Sequence, residues 1–177
     1  MVIVWTGKLR MIIKMSSDVD HILRLQKKRA VWMNIAEVVS TLSSCIRGNK
    51  GAVLIRDNMI ISTGYNGTSR GVLNCDEGGC DRCNDDTIES GKDLDKCICN
   101  HAEENSVVQA AYLGVSTKHA EMFCTHKPCL PCVKLLINAG VYRVFYKKEY
   151  NVVYPPQLSA CIDIVKIVDG VPYEVEI

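Results

Sequence analysis

His101-Ala102-Glu103-Glu104-Asn105 and Pro128-Cys129-Leu130-Pro131-Cys132 are the two segments from which the rest of this chain can be read. The first places an imidazole two positions before a carboxyl group. The second places two thiols three positions apart, with prolines ahead of and between them. Each segment reads as the start of a helix, over residues 102–113 and 131–139, with Gly114 and Gly140 as stop signals. Helix starts present free N–H groups and partial positive charge, which favour thiolate over thiol. One nitrogen and two sulfurs are a donor set for a tetrahedral zinc ion with its fourth position left open. Zinc with two thiolates is formally neutral, and two helix dipoles aimed at it would restore part of its acidifying power. Glu103 lies beside the ligand without being one, as a general base and then acid requires.

Working outward, Gly51–Arg56 and Met59–Ser62 read as a β-hairpin turning at Asp57-Asn58. Strands are also expected at 121–125, 143–146 and 162–168. A helix should run from Ser17 or Asp18 to about Ser43, with an apolar stripe from Ile22 to Leu42. Its basic cluster, Arg24 to Arg29, is read as a solvated face in preference to an anion site. Residues 1–17 form an arm of undefined structure, and 18–177 a single domain. Gly64-Tyr65-Asn66-Gly67 is read as a loop. From 68 to 100 the chain is rich in Gly, Asp, Asn and Cys, too long for an idle connection. Strands alternating with helices predict an α/β layered fold.

The totals agree. The chain has 177 residues, 47% of them hydrophobic, 21 basic and 20 acidic side chains, and ten cysteines. A net charge of +1 gives no basic surplus for tracking a nucleic-acid strand, so a small ligand is expected. No secretory leader and no membrane span is read. Lys8, Arg10 and Lys14 give only slender grounds for a transit segment. The cysteines therefore point to metal in a reducing, cytoplasmic setting rather than to disulfides.

His-x-Glu followed by Pro-Cys-x-x-Cys is the pattern of zinc deaminases, in which water replaces a ring amino group. Beyond it, Val31-Trp32-Met33, Gly51-Ala52-Val53, Thr63 to Gly67, Asn74-Cys75, Thr125-His126 and Asn138-Ala139-Gly140 occur in an order that resembles the deoxycytidylate (dCMP) deaminase family. The likeness covers 31–150, about two-thirds of the chain. It implies a three-layer α/β/α sandwich with a mixed five-stranded sheet, of the cytidine deaminase-like kind. It implies conversion of dCMP to dUMP with release of ammonia, with His101, Cys129 and Cys132 on catalytic Zn2+ and Glu103 as the proton carrier. Asn66, Thr68 and Tyr150 would hold the sugar phosphate. The resemblance further implies a hexamer, dCTP and dTTP as effectors, and a second, structural zinc on Cys45, Cys75 and Cys99. Cys83 is preferred as its fourth ligand, with Cys80 and Cys97 left open. Cys124 and Cys161 are read as core residues. Lys50 and Ser106 depart from the family pattern, and Lys50 bears on how phosphates are held.

Three alternatives stand beside this reading. One is deamination of dCTP as well as, or instead of, dCMP. Another is a tRNA or polynucleotide deaminase, which the charge balance disfavours. The last is an inert zinc scaffold, which has no use for Glu103.

Overall fold

The computed structural model describes residues 6–89, 91–168 and 171–172. Helix α1 spans Thr6–Ser40, so it begins eleven residues before the expected cap at Ser17. Residues 1–5 of the expected arm lie outside the described part. Strands β1 (Gly51–Arg56) and β2 (Met59–Tyr65) form the predicted hairpin. Asp57 and Asn58 both have positive φ, 52° and 59°, which matches the strands' twist in a two-residue turn. The short strand β3 (Gly67–Thr68) follows. Helix α2 (Asp81–Asn84) lies in the long insertion, and β4 (Cys99–Asn100) closes it by pairing with β3. Then come α3 (Ala102–Tyr112), β5 (Glu121–His126), α4 (Leu130–Asn138), β6 (Arg143–Lys148), α5 (Pro156–Ser159), β7 (Asp163–Val168) and β8 (Val171–Pro172).

The sheet has the order β2-β1-β5-β6-β7, with the two-residue β8 added at the edge. Its first two pairings are antiparallel and the next two parallel, so it is the mixed five-stranded sheet expected. Alternation along the strands sends side chains to both faces. Ala52, Leu54, Met122, Cys124, Val144 and Tyr146 pack with Ala102 of α3 and Val133 and Leu136 of α4. Val53, Ile55, Phe123, Phe145 and Ile167 pack with Met33 and Ala36 of α1. Two apolar layers on opposite faces of one sheet make the α/β/α sandwich. The rings of Phe123 and Phe145 stack at 4.8 Å, worth about 0.5–1.5 kcal/mol beyond their buried area.

The basic cluster on α1 is not wholly solvated. Lys28 donates to Asn58 at 3.0 Å, and the Arg29 guanidinium lies 4.8 Å over the Phe145 ring. Cys161, expected in the core, is exposed. It sits in the turn after α5, where its thiol bonds the Gln157 carbonyl, because β7 starts only at Asp163. Cys124 is buried as expected. No helix among the described residues is long and apolar enough to cross a membrane.

Candidate active site and metal centres

Two helix starts meet over the sheet. His101 is the N-cap residue of α3, and Cys129 that of α4. The His101 N–H is held by the Glu104 carboxylate at 2.9 Å, which fixes how the chain enters α3. Parallel pairing of β5 with β6 leads β5 out at the sheet end where Pro128 begins the second motif. The Tyr154 hydroxyl then clamps the Pro128 carbonyl at 2.6 Å.

The result is a close set of donors. His101 Nδ1 lies 3.3 Å from Cys129 Sγ and 3.4 Å from Cys132 Sγ. Around a tetrahedral zinc with ordinary bond lengths, a nitrogen and a sulfur stand about 3.6 Å apart. The trio therefore fits the ion with a shift of only tenths of an ångström. Glu103 stays outside this donor set but is itself 5% exposed, on the first turn of α3.

The electrostatics favour a bound cation. Cys129 is drawn down to about 4, first by the hydrogen bond with Cys132, against desolvation, and then by His101. His101 rises to about 8, chiefly through its bond to Cys129. Cys132 moves up in turn, because it gives its proton to that shared bond and is then desolvated. Burial pushes the Glu103 carboxyl up.

A pocket opens above these groups. Glu103, His101 and Cys129 line it, together with Asn66, Tyr150, Lys50, His126 and Lys127. Asn66 is 5% exposed and heavily bonded. Its Oδ1 accepts from the Lys50 N–H at 2.7 Å and the Ser43 hydroxyl at 2.8 Å, and its Nδ2 donates to the Gly48 carbonyl at 2.9 Å. One amide hydrogen is left for a ligand. Thr68 does not line the pocket; its backbone pairs with Cys99 in the β3–β4 ladder. Sequence reasoning had not given His126 and Lys127 a role. They sit at the end of β5, just before the second motif, where strand ends in α/β folds gather ligands. Burial, and then Lys50 and Lys148, lower His126 to about 4, so its ring is neutral at pH 7.

Gly64 has a different role from the one its loop-like sequence suggested. It lies inside β2, where an added Cβ would stand 2.2 Å from the Ala102 carbonyl and 2.4 Å from the Ser106 nitrogen. Only glycine lets α3 sit this close to the sheet. Ser106, in turn, is fully buried and receives the Ser62 hydroxyl on its carbonyl at 2.6 Å. These contacts seat the start of α3, and with it His101 and Glu103.

Five cysteines of the insertion gather with Cys45, which follows α1. Cys45, Cys75, Cys83 and Cys99 have all their sulfurs within 4.8 Å of one another, so the four expected structural ligands do converge. Arg47 donates to the Cys83 carbonyl at 2.8 Å, and buried Arg82 donates to the Lys92 and Glu89 carbonyls. These side chains hold a segment that has little regular structure of its own.

Comparison with known proteins places this geometry. The family described as cytidine and deoxycytidylate deaminase zinc-binding region matches residues 26–148. A deoxycytidylate deaminase of Schizosaccharomyces pombe is 42% identical over 120 residues, covering 68% of this chain and 37% of that one. A deoxycytidylate deaminase of Mycobacterium phage D29 is 30% identical over 122 residues, covering 67% and 92%. A dCMP deaminase from cyanophage S-TIM5, solved in complex with dCMP and dUMP, superposes with a TM-score of 0.62 at 29% identity, covering 77% and 94%. The chain thus spans little more than a third of the length of the yeast relatives and more than nine-tenths of these two phage proteins. Fold and donor set define a zinc-binding protein of the cytidine deaminase-like class. Within that class, the chain belongs to the cytidine and deoxycytidylate deaminase family.

Proposed function

We propose that this protein hydrolyses dCMP to dUMP and ammonia, with zinc held by His101, Cys129 and Cys132 and with Glu103 as the proton carrier. The observation that carries the proposal is the buried Glu103 carboxyl at the floor of a pocket it shares with His101 and Cys129. Zinc held there supplies the positive charge that makes an attacking water acidic at neutral pH. Glu103 takes a proton from that water as oxygen bonds to C4 of the cytosine ring. It passes the proton to ring N3, and takes the second hydroxyl proton as C4 forms its double bond to oxygen and the bond to the amine breaks. That proton leaves on the departing amine as ammonia. A desolvated carboxyl, neither strongly acidic nor a ligand, suits this two-way traffic.

Lys50, Lys127 and the free Asn66 amide hydrogen supply charge and donors for the phosphate, with Tyr150 at the rim. The relatives named deoxycytidylate deaminases support the choice of nucleotide. A zinc on Cys45, Cys75, Cys83 and Cys99 would steady the insertion beside this pocket. Hexamer formation, control by dCTP and dTTP, and a cytoplasmic setting belong to the same reading.

Ammonia release measured with dCMP, dCTP, deoxycytidine and CMP, each with and without dCTP or dTTP as effector, is the test. Turnover of dCMP well above the others is expected. Turnover confined to dCTP would overturn the choice of substrate.

A further inference from the structure

We propose that the insertion holds two metal ions, as a six-cysteine cluster in which Cys83 and Cys99 bridge. This rests on the reading that the insertion binds a structural zinc, and extends it. Two overlapping sets of four sulfurs satisfy the same closeness: Cys45, Cys75, Cys83 and Cys99, and Cys80, Cys83, Cys97 and Cys99. Cys83 and Cys99 belong to both sets. Two of the cysteines are terminal on one side and two on the other.

The spacing is that of thiolates around an ion. Cys97 Sγ lies 3.7 Å from Cys83 Sγ and 3.9 Å from Cys80 Sγ. Sulfurs at the corners of a tetrahedral zinc site, each about 2.3 Å from the ion, stand about 3.8 Å apart. A disulfide would bring the sulfurs to about 2.05 Å.

One ion leaves sulfurs unexplained whichever set it chooses. With the ion on the first set, Cys80 stays fully buried and Cys97 stays packed against a sulfur already coordinated. With the ion on the second, Cys45 and Cys75 are stranded instead. Two ions complete both tetrahedra with no sulfur left over. A bridging thiolate has the lone pairs to serve two ions, and four terminal ligands with two shared ones fill eight positions. Six thiolates and two dications leave a net double negative charge, the same as one zinc on four thiolates. The cluster would also shape the pocket: Cys45, Cys83, Cys97 and Cys99 line its wall.

The experiment is a metal count on full-length protein, reduced, loaded with excess zinc and then desalted. Three zinc ions per chain are expected: one on His101, Cys129 and Cys132 and two in the cluster. A count of two would overturn the second cluster ion but leave the structural zinc. A count of one would overturn both. Cys80→Ser should lower the count by one ion, or by two if the pair is held cooperatively; an unchanged count would remove Cys80 from the site and sink the proposal. Should that variant fail to fold, 113Cd-loaded wild-type protein gives the answer. Two all-thiolate resonances coupled to each other through shared sulfurs support the cluster, and uncoupled or single resonances overturn it. Alkylation of the unfolded, chelated, unreduced chain should label all ten cysteines. Two fewer would mean a disulfide and would likewise overturn it. Ammonia release from dCMP is read separately: its absence from a three-zinc protein would count against the proposed reaction and not against the cluster.

Discussion

The His101–Cys129–Cys132 trio and the cysteine-rich insertion both gather metal-binding side chains, but by opposite means. His101, Cys129 and Cys132 ride on the first residues of α3 and α4, whose other faces are locked into the core by Ala102, Val133 and Leu136. Rigid elements place these donors, and an ion has only to arrive. The described residues of 69–98 contain one four-residue helix and two 3-10 turns. Their position depends on side chains, with Arg47 and Arg82 on carbonyls and six sulfurs in one knot. The first site is preorganised by packing, whereas the second would owe much of its order to the metal it binds.

The largest effect expected is at the preorganised site. Glu103→Gln should lower kcat for dCMP by about 10³–10⁴-fold while the zinc content and circular dichroism stay unchanged. Near-normal turnover would remove the carboxyl from the mechanism.

Chelation sharpens the contrast directly. Stripping metal at neutral pH should speed proteolytic cleavage within 69–98 by about a hundredfold, with cleavage of α3 and α4 little changed. Zinc should restore the resistance. An insertion that stays resistant would show that Arg47 and Arg82 hold it unaided.

Gly64→Ala tests how tightly the first site is seated. The new methyl group meets backbone of α3 rather than a flexible side chain, so about 1–3 kcal/mol of stability should be lost in urea unfolding. The activity remaining in the folded fraction should also fall, because the shift moves His101 and Glu103. Full activity with normal stability would mean that α3 has slack.

The smallest effect concerns acid. His126 has a folded value near 4 against an ordinary 6.5, chiefly through burial. Its neutral form is favoured in the folded protein, so its contribution is complete above about pH 6.5 and is lost as pH falls toward 4. Across that window the stability gap between wild type and His126→Gln should narrow, measured by urea unfolding at pH 7.5 and 5. A gap independent of pH would mean the ring is not held neutral.

Short-range features were readable in advance. Asp57-Asn58 announces a tight hairpin, and α3, β5, α4 and β6 fall within a residue or two of their expected bounds. His101, Glu103, Cys129 and Cys132 declare their chemistry through spacing on helix starts. The limits of α1 were less legible, because its apolar stripe is clear only from Ile22 onward. Gly64 was misleading, since a glycine needed for close packing reads like one needed for a turn. Cys161 was misplaced because an apolar neighbourhood along the chain does not show where a strand begins.

The sequence by itself determined the donor types, the carboxyl group proposed as general base and the layered α/β class, since all three follow from neighbours a few residues apart in the chain. Only the tertiary structure decided that Cys80 and Cys97 both join Cys45, Cys75, Cys83 and Cys99, that Lys50, His126 and Lys127 face the same pocket as Glu103, and that Gly64 carries α3. Those contacts join residues tens of positions apart. No local periodicity records them, because they exist only once the sheet has brought its strand ends together.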